Sequence, residues 1–165
     1  MGTKGRAIVG MDVVELINLL NKAFADEWSA YYQYWVGAQI VKGPMREVAV
    51  AELTEHAADE LRHAQMLSDR IIQLGGTPLT DPVEWGKMAT CAYLKPTDFS
   101  VRAIIKQGVN GEQCAIDVYT RLLAKTKDKD PITYQMLIPI LADEVDHEED
   151  FEALLEDLAE IEMGR

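Results

Sequence analysis

Apolar residues recur at helical spacing through four long stretches of the chain, with polar residues between them on the opposite faces. From Met11 to Lys42 the pattern runs through Val14, Leu16, Ile17, Leu20, Ala23, Phe24, Trp28 and Tyr31 without an internal proline, predicting one helix over 11–42. Gly43-Pro44 ends it, and Pro44 is placed to open a second helix over about 45–74, through Leu53, Leu61, Leu67 and Ile71, before Gly75-Gly76 stops it. A third helix over 97–125 carries Ile104, Ile105, Val109, Val118 and Leu122, with Thr97-Asp98 as its cap. Lys127-Asp-Lys-Asp130 is a polar turn, and Asp130-Pro131 opens a fourth helix over 131–162, in which Pro139 removes one backbone bond and is expected to bend the axis. Between the two helix pairs, Asp81-Pro82-Val83-Glu84 has the form of a cap followed by a first-turn proline, so a short helix over 82–93 is expected inside a long crossover. The fold class is all-α: a four-helix bundle with a long crossover, preceded by a tail over 1–10, and 165 residues suit one domain over 1–165.

Composition narrows the function. The formal net charge of −12 disfavours nucleic acid and anionic membrane surfaces as partners and favours cations. Lys4 and Arg6 are too few for a DNA-binding tail, no apolar run reaches spanning length, and no signal-peptide pattern follows the first residues, so a cytoplasmic location is expected. In that compartment Cys91 and Cys114 default to two free thiols.

The candidate chemistry lies in an internal repeat. Glu27-x-x-Ala30-x-x-x-Tyr34 on the first helix is matched by Glu112-x-x-Ala115-x-x-x-Tyr119 on the third, and each is followed by a Glu-x-x-His, Glu60-Leu-Arg-His63 and Glu144-Val-Asp-His147. Residues three apart share a helix face. Two residues in a helical hairpin are level when the turn lies midway between them. The midpoint of 27 and 60 is 43.5, at Gly43-Pro44, and the midpoint of 112 and 144 is 128, inside the second turn. Four carboxylates and two imidazoles therefore converge at one depth if the pairs pack with pseudo-twofold symmetry. Such a cluster is stable only with compensating cations or bound protons. Carboxylate-rich donors with two nitrogens suit two iron ions, with manganese as the alternative, rather than structural zinc. Tyr34 and Tyr119 sit two turns from the glutamates and are placed to hydrogen-bond ligand carboxylates of the opposite helix pair, or else to pack in the core. His56 has no partner in the other half and is read as solvated or locally bonded. The run Asp143–Asp150 is read as mostly a charged face, with Glu148, Glu149 and Asp150 solvated or drawing cations inward.

The order Glu, Glu-x-x-His, Glu, Glu-x-x-His resembles the bacterioferritins and the wider ferritin-like superfamily over essentially the whole chain. The resemblance implies that Glu27 and Glu112 are terminal ligands, Glu60 and Glu144 bridging ones, and His63 and His147 the nitrogen donors. Leu61 stands where bacterioferritins carry a haem-ligating methionine, so no haem is expected, and the chain ends soon after the fourth helix, without the fifth helix of 24-subunit cages. The crossover helix resembles that of Dps proteins, which form twelve-subunit shells. A bacterioferritin-like site in a Dps-like frame, with one cysteine in the crossover and one beside the third-helix glutamate, is similar to the thioferritin branch. That resemblance implies a Cys91–Cys114 pair acting as a disulfide or redox relay. It also implies a ferroxidase that oxidises Fe(II), with hydrogen peroxide in preference to dioxygen, and stores Fe(III) in a dodecameric cage against oxidative stress. The alternative is a non-storing di-metal peroxidase or catalase of the rubrerythrin or manganese-catalase type, although the chain has no Cys-x-x-Cys segment and Gln113-Cys114 lacks the extra third-helix glutamate of rubrerythrins.

Overall fold

In the computed structural model, which describes residues 2–164, the chain forms α1 (Thr3–Ala7), α2 (Val13–Ile40), α3 (Arg46–Gln73), a 3-10 turn (Pro82–Glu84) continuing into α4 (Trp85–Met88), α5 (Val101–Thr126) and α6 (Pro131–Met163). No strand is present among the described residues, and none of their helices is long and apolar enough to cross a membrane. The helix ends follow local chemistry. Asp12 caps α2 by accepting from the backbone N–H groups of Val14 and Glu15 at 2.7 and 3.1 Å. Asp130 does the same for α6, with Pro131 in its first turn.

Several boundaries differ from those read off the pattern. Pro44 does not open α3: Gly43 takes φ 115°, Met45 sits at φ 60° as the N-cap, and the helix starts at Arg46. The two positive-φ residues flanking Pro44 let the chain reverse before helical bonding resumes. Ser100, not Thr97-Asp98, caps α5, because Asp98 accepts from the Ser100 N–H and Ser100 Oγ then receives the Ala103 N–H. The crossover helix ends at Met88, five residues short of the predicted end, and residues 3–7 of the tail form a helical turn of their own. Pro139 lies within a helix that continues to Met163.

Helix α2 packs along α3, and α5 along α6, giving two antiparallel hairpins joined by the crossover. A single bridge ties their ends: Lys42 donates to Phe99 and its carbonyl accepts from Val101. At the opposite end Arg70, buried on α3, donates to Thr133 Oγ1 at 2.8 Å and to Asp130 Oδ2 at 2.7 Å, pinning α3 to the start of α6. Trp28 of α2 stacks on Trp85 of α4, with ring centroids 5.0 Å apart, and seats the crossover helix.

The core is not one continuous apolar mass. One cluster, including Leu16, Leu20, Leu67, Ile71, Leu137 and Ile140, fills the end of the bundle near the α5–α6 turn. A second, including Leu53, Ile104, Ile105, Phe151, Leu154 and Leu158, fills the other end. Between them lies a layer of buried carboxylates and imidazoles. Apolar packing above and below keeps water out on those two sides, which raises the cost of any charge in the layer that lacks a counter-charge.

Candidate metal centre

Each long helix contributes to the polar layer: Glu27 from α2, Glu60 and His63 from α3, Glu112 from α5, Glu144 and His147 from α6. All six are at most 4% exposed. They form two overlapping groups. Ligand atoms of Glu27, Glu60, His63 and Glu144 lie within 4.8 Å of one another, as do those of Glu60, Glu112, Glu144 and His147. Glu60 and Glu144 belong to both groups, whereas one glutamate and one histidine are particular to each. Each group has the donors and the spacing to hold a cation, and the two groups share two carboxylates.

The histidines are oriented alike. His63 Nδ1 faces Glu60 at 3.1 Å, Glu144 at 3.3 Å and Glu27 at 3.4 Å, while its Nε2 meets Asp143 Oδ2 at 3.0 Å. His147 Nδ1 faces Glu60 at 3.5 Å and Glu112 and Glu144 at 3.8 Å, while its Nε2 meets Asp59 Oδ2 at 3.4 Å. An outer carboxylate on Nε2 selects the Nε2–H tautomer and leaves the Nδ1 lone pair turned inward, the arrangement a metal-binding imidazole needs. Arg62 spans the two outer carboxylates, donating to Asp59 at 2.6 Å and Asp143 at 3.0 Å. Against the opposing effect of partial burial, these donors hold both aspartates below the ordinary carboxylate range.

The tyrosines cross between hairpins. Tyr34 of α2 donates to Glu112 of α5 at 2.6 Å, and Tyr119 of α5 donates to Glu27 of α2. Each hydroxyl thus occupies one oxygen of a glutamate and leaves the other for a second partner. Gly111 permits the first contact: a Cβ there would come 3.1 Å from the Tyr34 hydroxyl.

Several inward atoms have no protein hydrogen-bond partner: Glu27 Oε2, Glu60 Oε1, both Glu144 oxygens and His147 Nδ1. With protein groups alone, burial pushes Glu60, Glu112 and Glu144 upward, Glu144 to about 8, and the neighbouring carboxylates push them further. Burial would lower His63, but the carboxylates of Glu144, Glu27 and Glu60 that face its Nδ1 outweigh it and hold the imidazole well above its usual value. Inward oxygens of Glu27, Glu60 and Glu144 and the His147 nitrogen that no protein donor satisfies suit divalent cations, and oxygen-rich donors suit iron or manganese.

The crossover lies against this layer. Cys91 and Cys114 are joined in a disulfide, with Cα atoms 5.9 Å apart, so they are not the free thiols that the compartment argument led to. Fold geometry overrides the redox default: the crossover brings Cys91 beside α5, and its N–H donates to Asp26 Oδ1 at 2.7 Å. Burial raises Asp26 to about 7, against that hydrogen bond. A cavity of about 210 Å³ opens here, lined by Ala30, Gln33, Tyr93, Gln107 and Asn110 as well as the disulfide, and reaches Glu27, Glu60, Glu112 and Glu144.

Three other residues belong to the site's surroundings although the sequence reading did not place them there. Asp59 and Asp143 were legible, since each directly precedes the glutamate of a Glu-x-x-His, in both copies of the repeat. His56, expected to be solvated or locally bonded, is instead 1% exposed and stacks on His147 with ring centroids 3.9 Å apart. Burial, then His147, lowers it to about 3. Position 56 lies one turn from Glu60 on the inward face of α3, and no motif marked it.

A bundle of two helical hairpins around a buried carboxylate–histidine layer defines the class, and the sequence agrees: the pattern of a ferritin-like domain matches residues 17–161, so the chain belongs to the ferritin-like family. Among its relatives is the bacterioferritin-related protein of Bacteroides fragilis, described as a dodecameric thioferritin, with 41% identity and a TM-score of 0.96 over 99% of this chain and 98% of that one. The DNA protection during starvation protein of Pyrococcus furiosus is 40% identical over 88% of this chain and 80% of its own length. A bacterioferritin of Desulfovibrio desulfuricans is 29% identical over 81% and 70% respectively.

Proposed function

We propose that the chain is a ferroxidase that binds two Fe(II) ions among Glu27, Glu60, His63, Glu112, Glu144 and His147, oxidises them with hydrogen peroxide, and stores the product in a twelve-subunit shell. The observation that carries this reading is the pair of overlapping donor groups sharing Glu60 and Glu144, with inward oxygens that no protein donor satisfies. Iron supplies the one-electron couple: two Fe(II), one peroxide and two protons give two Fe(III) and two waters. The protein's residues do the rest. Glu60 and Glu144 sit where a carboxylate can span both ions. Tyr34 and Tyr119 keep Glu112 and Glu27 oriented, and Asp59 and Asp143 hold the imidazole tautomers. Carboxylates favour the more highly charged product, and the apolar clusters exclude bulk water.

The cavity beside Cys91 and Cys114 gives a small oxidant a route from the crossover side. The disulfide in its wall is a two-electron couple within reach of the centre, which supports a redox role for the pair. The dodecameric B. fragilis relative supports the shell, and a net charge of −12 per chain supports cation accumulation by it.

Glu144→Ala and His63→Ala test the site. Each should abolish rapid peroxide-driven iron oxidation while circular dichroism shows an intact helical bundle, and undiminished oxidation in both would refute the ligand set. Size-exclusion chromatography tests the shell, which should elute at roughly twelve times 18.5 kDa. A dimer or tetramer would remove the storage reading. Cys91→Ser and Cys114→Ser test the disulfide, and unchanged peroxide kinetics and stability would reduce the pair to packing.

A further inference from the structure

The α3 and α6 parts of the polar layer obey an internal symmetry: adding 84 to Asp59, Glu60 and His63 yields Asp143, Glu144 and His147. One turn away the symmetry fails. Glu52, His56 and Asp150 correspond by the same shift to Met136, Ile140 and Met66, which pack in the first apolar cluster. At one end of the layer the positions between α3 and α6 are filled by apolar side chains, as helix packing favours. At the other they carry two carboxylates and an imidazole.

These three residues converge. His56 Nε2 lies 3.5 Å from Asp150 Oδ2 and 3.7 Å from Glu52 Oε2, and the three ligand atoms fall within 4.8 Å of one another. The separations are long for N–H···O hydrogen bonds, whose range is about 2.7–3.2 Å. They match the spacing of neighbouring donors around one ion, which is about 3.0–3.7 Å for metal–ligand distances near 2.1 Å. The imidazole side chain is only 2% exposed, and its Nδ1 has no hydrogen-bond partner. A buried ring nitrogen without a partner costs stability that an apolar residue would not, whereas Nε2 is the nitrogen that faces the two carboxylates. Glu52 and Asp150 remain partly exposed, their side chains at 30% and 54%, so solvent ions reach the cluster directly.

The cluster also touches the centre. His56 stacks on His147, and ligand atoms of His56, Glu112 and His147 lie within 4.8 Å of one another. The imidazole therefore belongs both to the outer cluster and to a group that contains two residues of the inner one.

The geometry points to a second, mononuclear divalent-cation site formed by Glu52, His56 and Asp150 at the α3/α6 surface, from which an ion passes inward to the Glu112 and His147 side of the centre. The site stands on its own donors, whereas the handover rests on the ferroxidase reading. It lies on the helix faces away from the disulfide-lined cavity, so metal and oxidant would reach the centre from different sides.

Co(II), which peroxide-free buffer leaves unoxidised, is the probe. Crystals of the full chain grown with saturating Co(II) should show anomalous density among Glu52, His56 and Asp150 in addition to that at the centre. Glu52→Gln combined with Asp150→Asn, two changes at partly exposed positions, should remove the outer density and keep the inner. Stopped-flow cobalt absorption should then show the centre filling about tenfold more slowly to the same final amplitude, a change within the range of lost electrostatic steering. An empty outer site in the wild type, or outer density undiminished in the double variant, overturns the site, and an unchanged filling rate overturns the handover. The two readings fail separately. A filled centre with an empty outer position sinks this inference alone, whereas a filled outer site in a protein that oxidises Fe(II) no faster than free solution sinks the ferroxidase alone.

Discussion

The two hairpins of this bundle are near copies where they hold the polar layer and unlike where they surround it. Each supplies a lone glutamate, an Asp-Glu-x-x-His and a tyrosine that reaches the other half, so each half completes its partner's ligands: Tyr34 serves Glu112, Tyr119 serves Glu27, Asp143 serves His63 and Asp59 serves His147. One turn away, His56 in the first hairpin stands against Ile140 in the second. The crossover breaks the likeness again, covering one face of the layer with a disulfide. The shared part is the set of buried donors, and the unshared parts are their surroundings; on the proposed function the first serves two equivalent cations and the second distinguishes ions from oxidant.

Experiments can break this comparison, and the largest effect should come from its centre. Glu60→Ala and Glu144→Ala should each lower the rate of iron oxidation by about a thousandfold or more in stopped flow, roughly 4 kcal/mol of barrier. A large loss in one and a small loss in the other would show that the halves are not functionally equivalent. Arg70→Ala leaves Asp130 buried without its cation and should destabilise the apo-protein by about 3–5 kcal/mol in urea unfolding, with iron oxidation little changed in the fraction that folds. Tyr34→Phe and Tyr119→Phe should each weaken activity or metal affinity by about tenfold, and by similar factors, since each removes one hydrogen bond to a ligand glutamate.

The pH dependence sharpens the point. Carboxyls held above their unfolded values, Glu144 at about 8 and Asp26 at about 7, contribute stability that is fully present below the unfolded value and is lost as pH rises through the folded one. His63, also raised, acts in the same direction. His56, which is lowered, opposes them only below its ordinary value of 6.5, and the lowered Asp59 and Asp143 act only in acid. Thermal unfolding of the metal-free protein should therefore occur at lower temperature as pH goes from 6.5 to 8. The metal-loaded protein should lose the Glu144 and His63 share of this slope, because bound cations keep that carboxylate charged and that imidazole neutral in the fold, and should keep only the Asp26 share. Equal slopes in both forms would place the ions elsewhere. The smallest effect belongs to His56→Ile, which copies the second hairpin into the first and should stabilise the metal-free protein by about 1 kcal/mol.

Much of this was legible along the chain because helix periodicity and hairpin register are nearly one-dimensional. A residue's place on a helix face follows from 3.6 residues per turn, and its depth follows from its distance to the turn. That reasoning brought Glu27 level with Glu60, and Glu112 with Glu144. Asp59 and Asp143 obeyed the same repeat and could have been read with them. Helix ends were less legible: Ser100 displaced Thr97-Asp98 as a cap because a few hydrogen bonds of similar energy compete there.

By itself the sequence determined the four helices, the two turns and the level at which four glutamates and two histidines meet, since these depend on local periodicity and counting. Only the tertiary structure decided that Cys91 bonds Cys114, that Tyr34 and Tyr119 exchange partners between hairpins, and that His56 is buried against His147 with Glu52 and Asp150 beside it. Those contacts join residues from different helices or from an irregular crossover. Their distances depend on how two hairpins rotate and slide against each other, which side-chain packing sets and no spacing along one chain records.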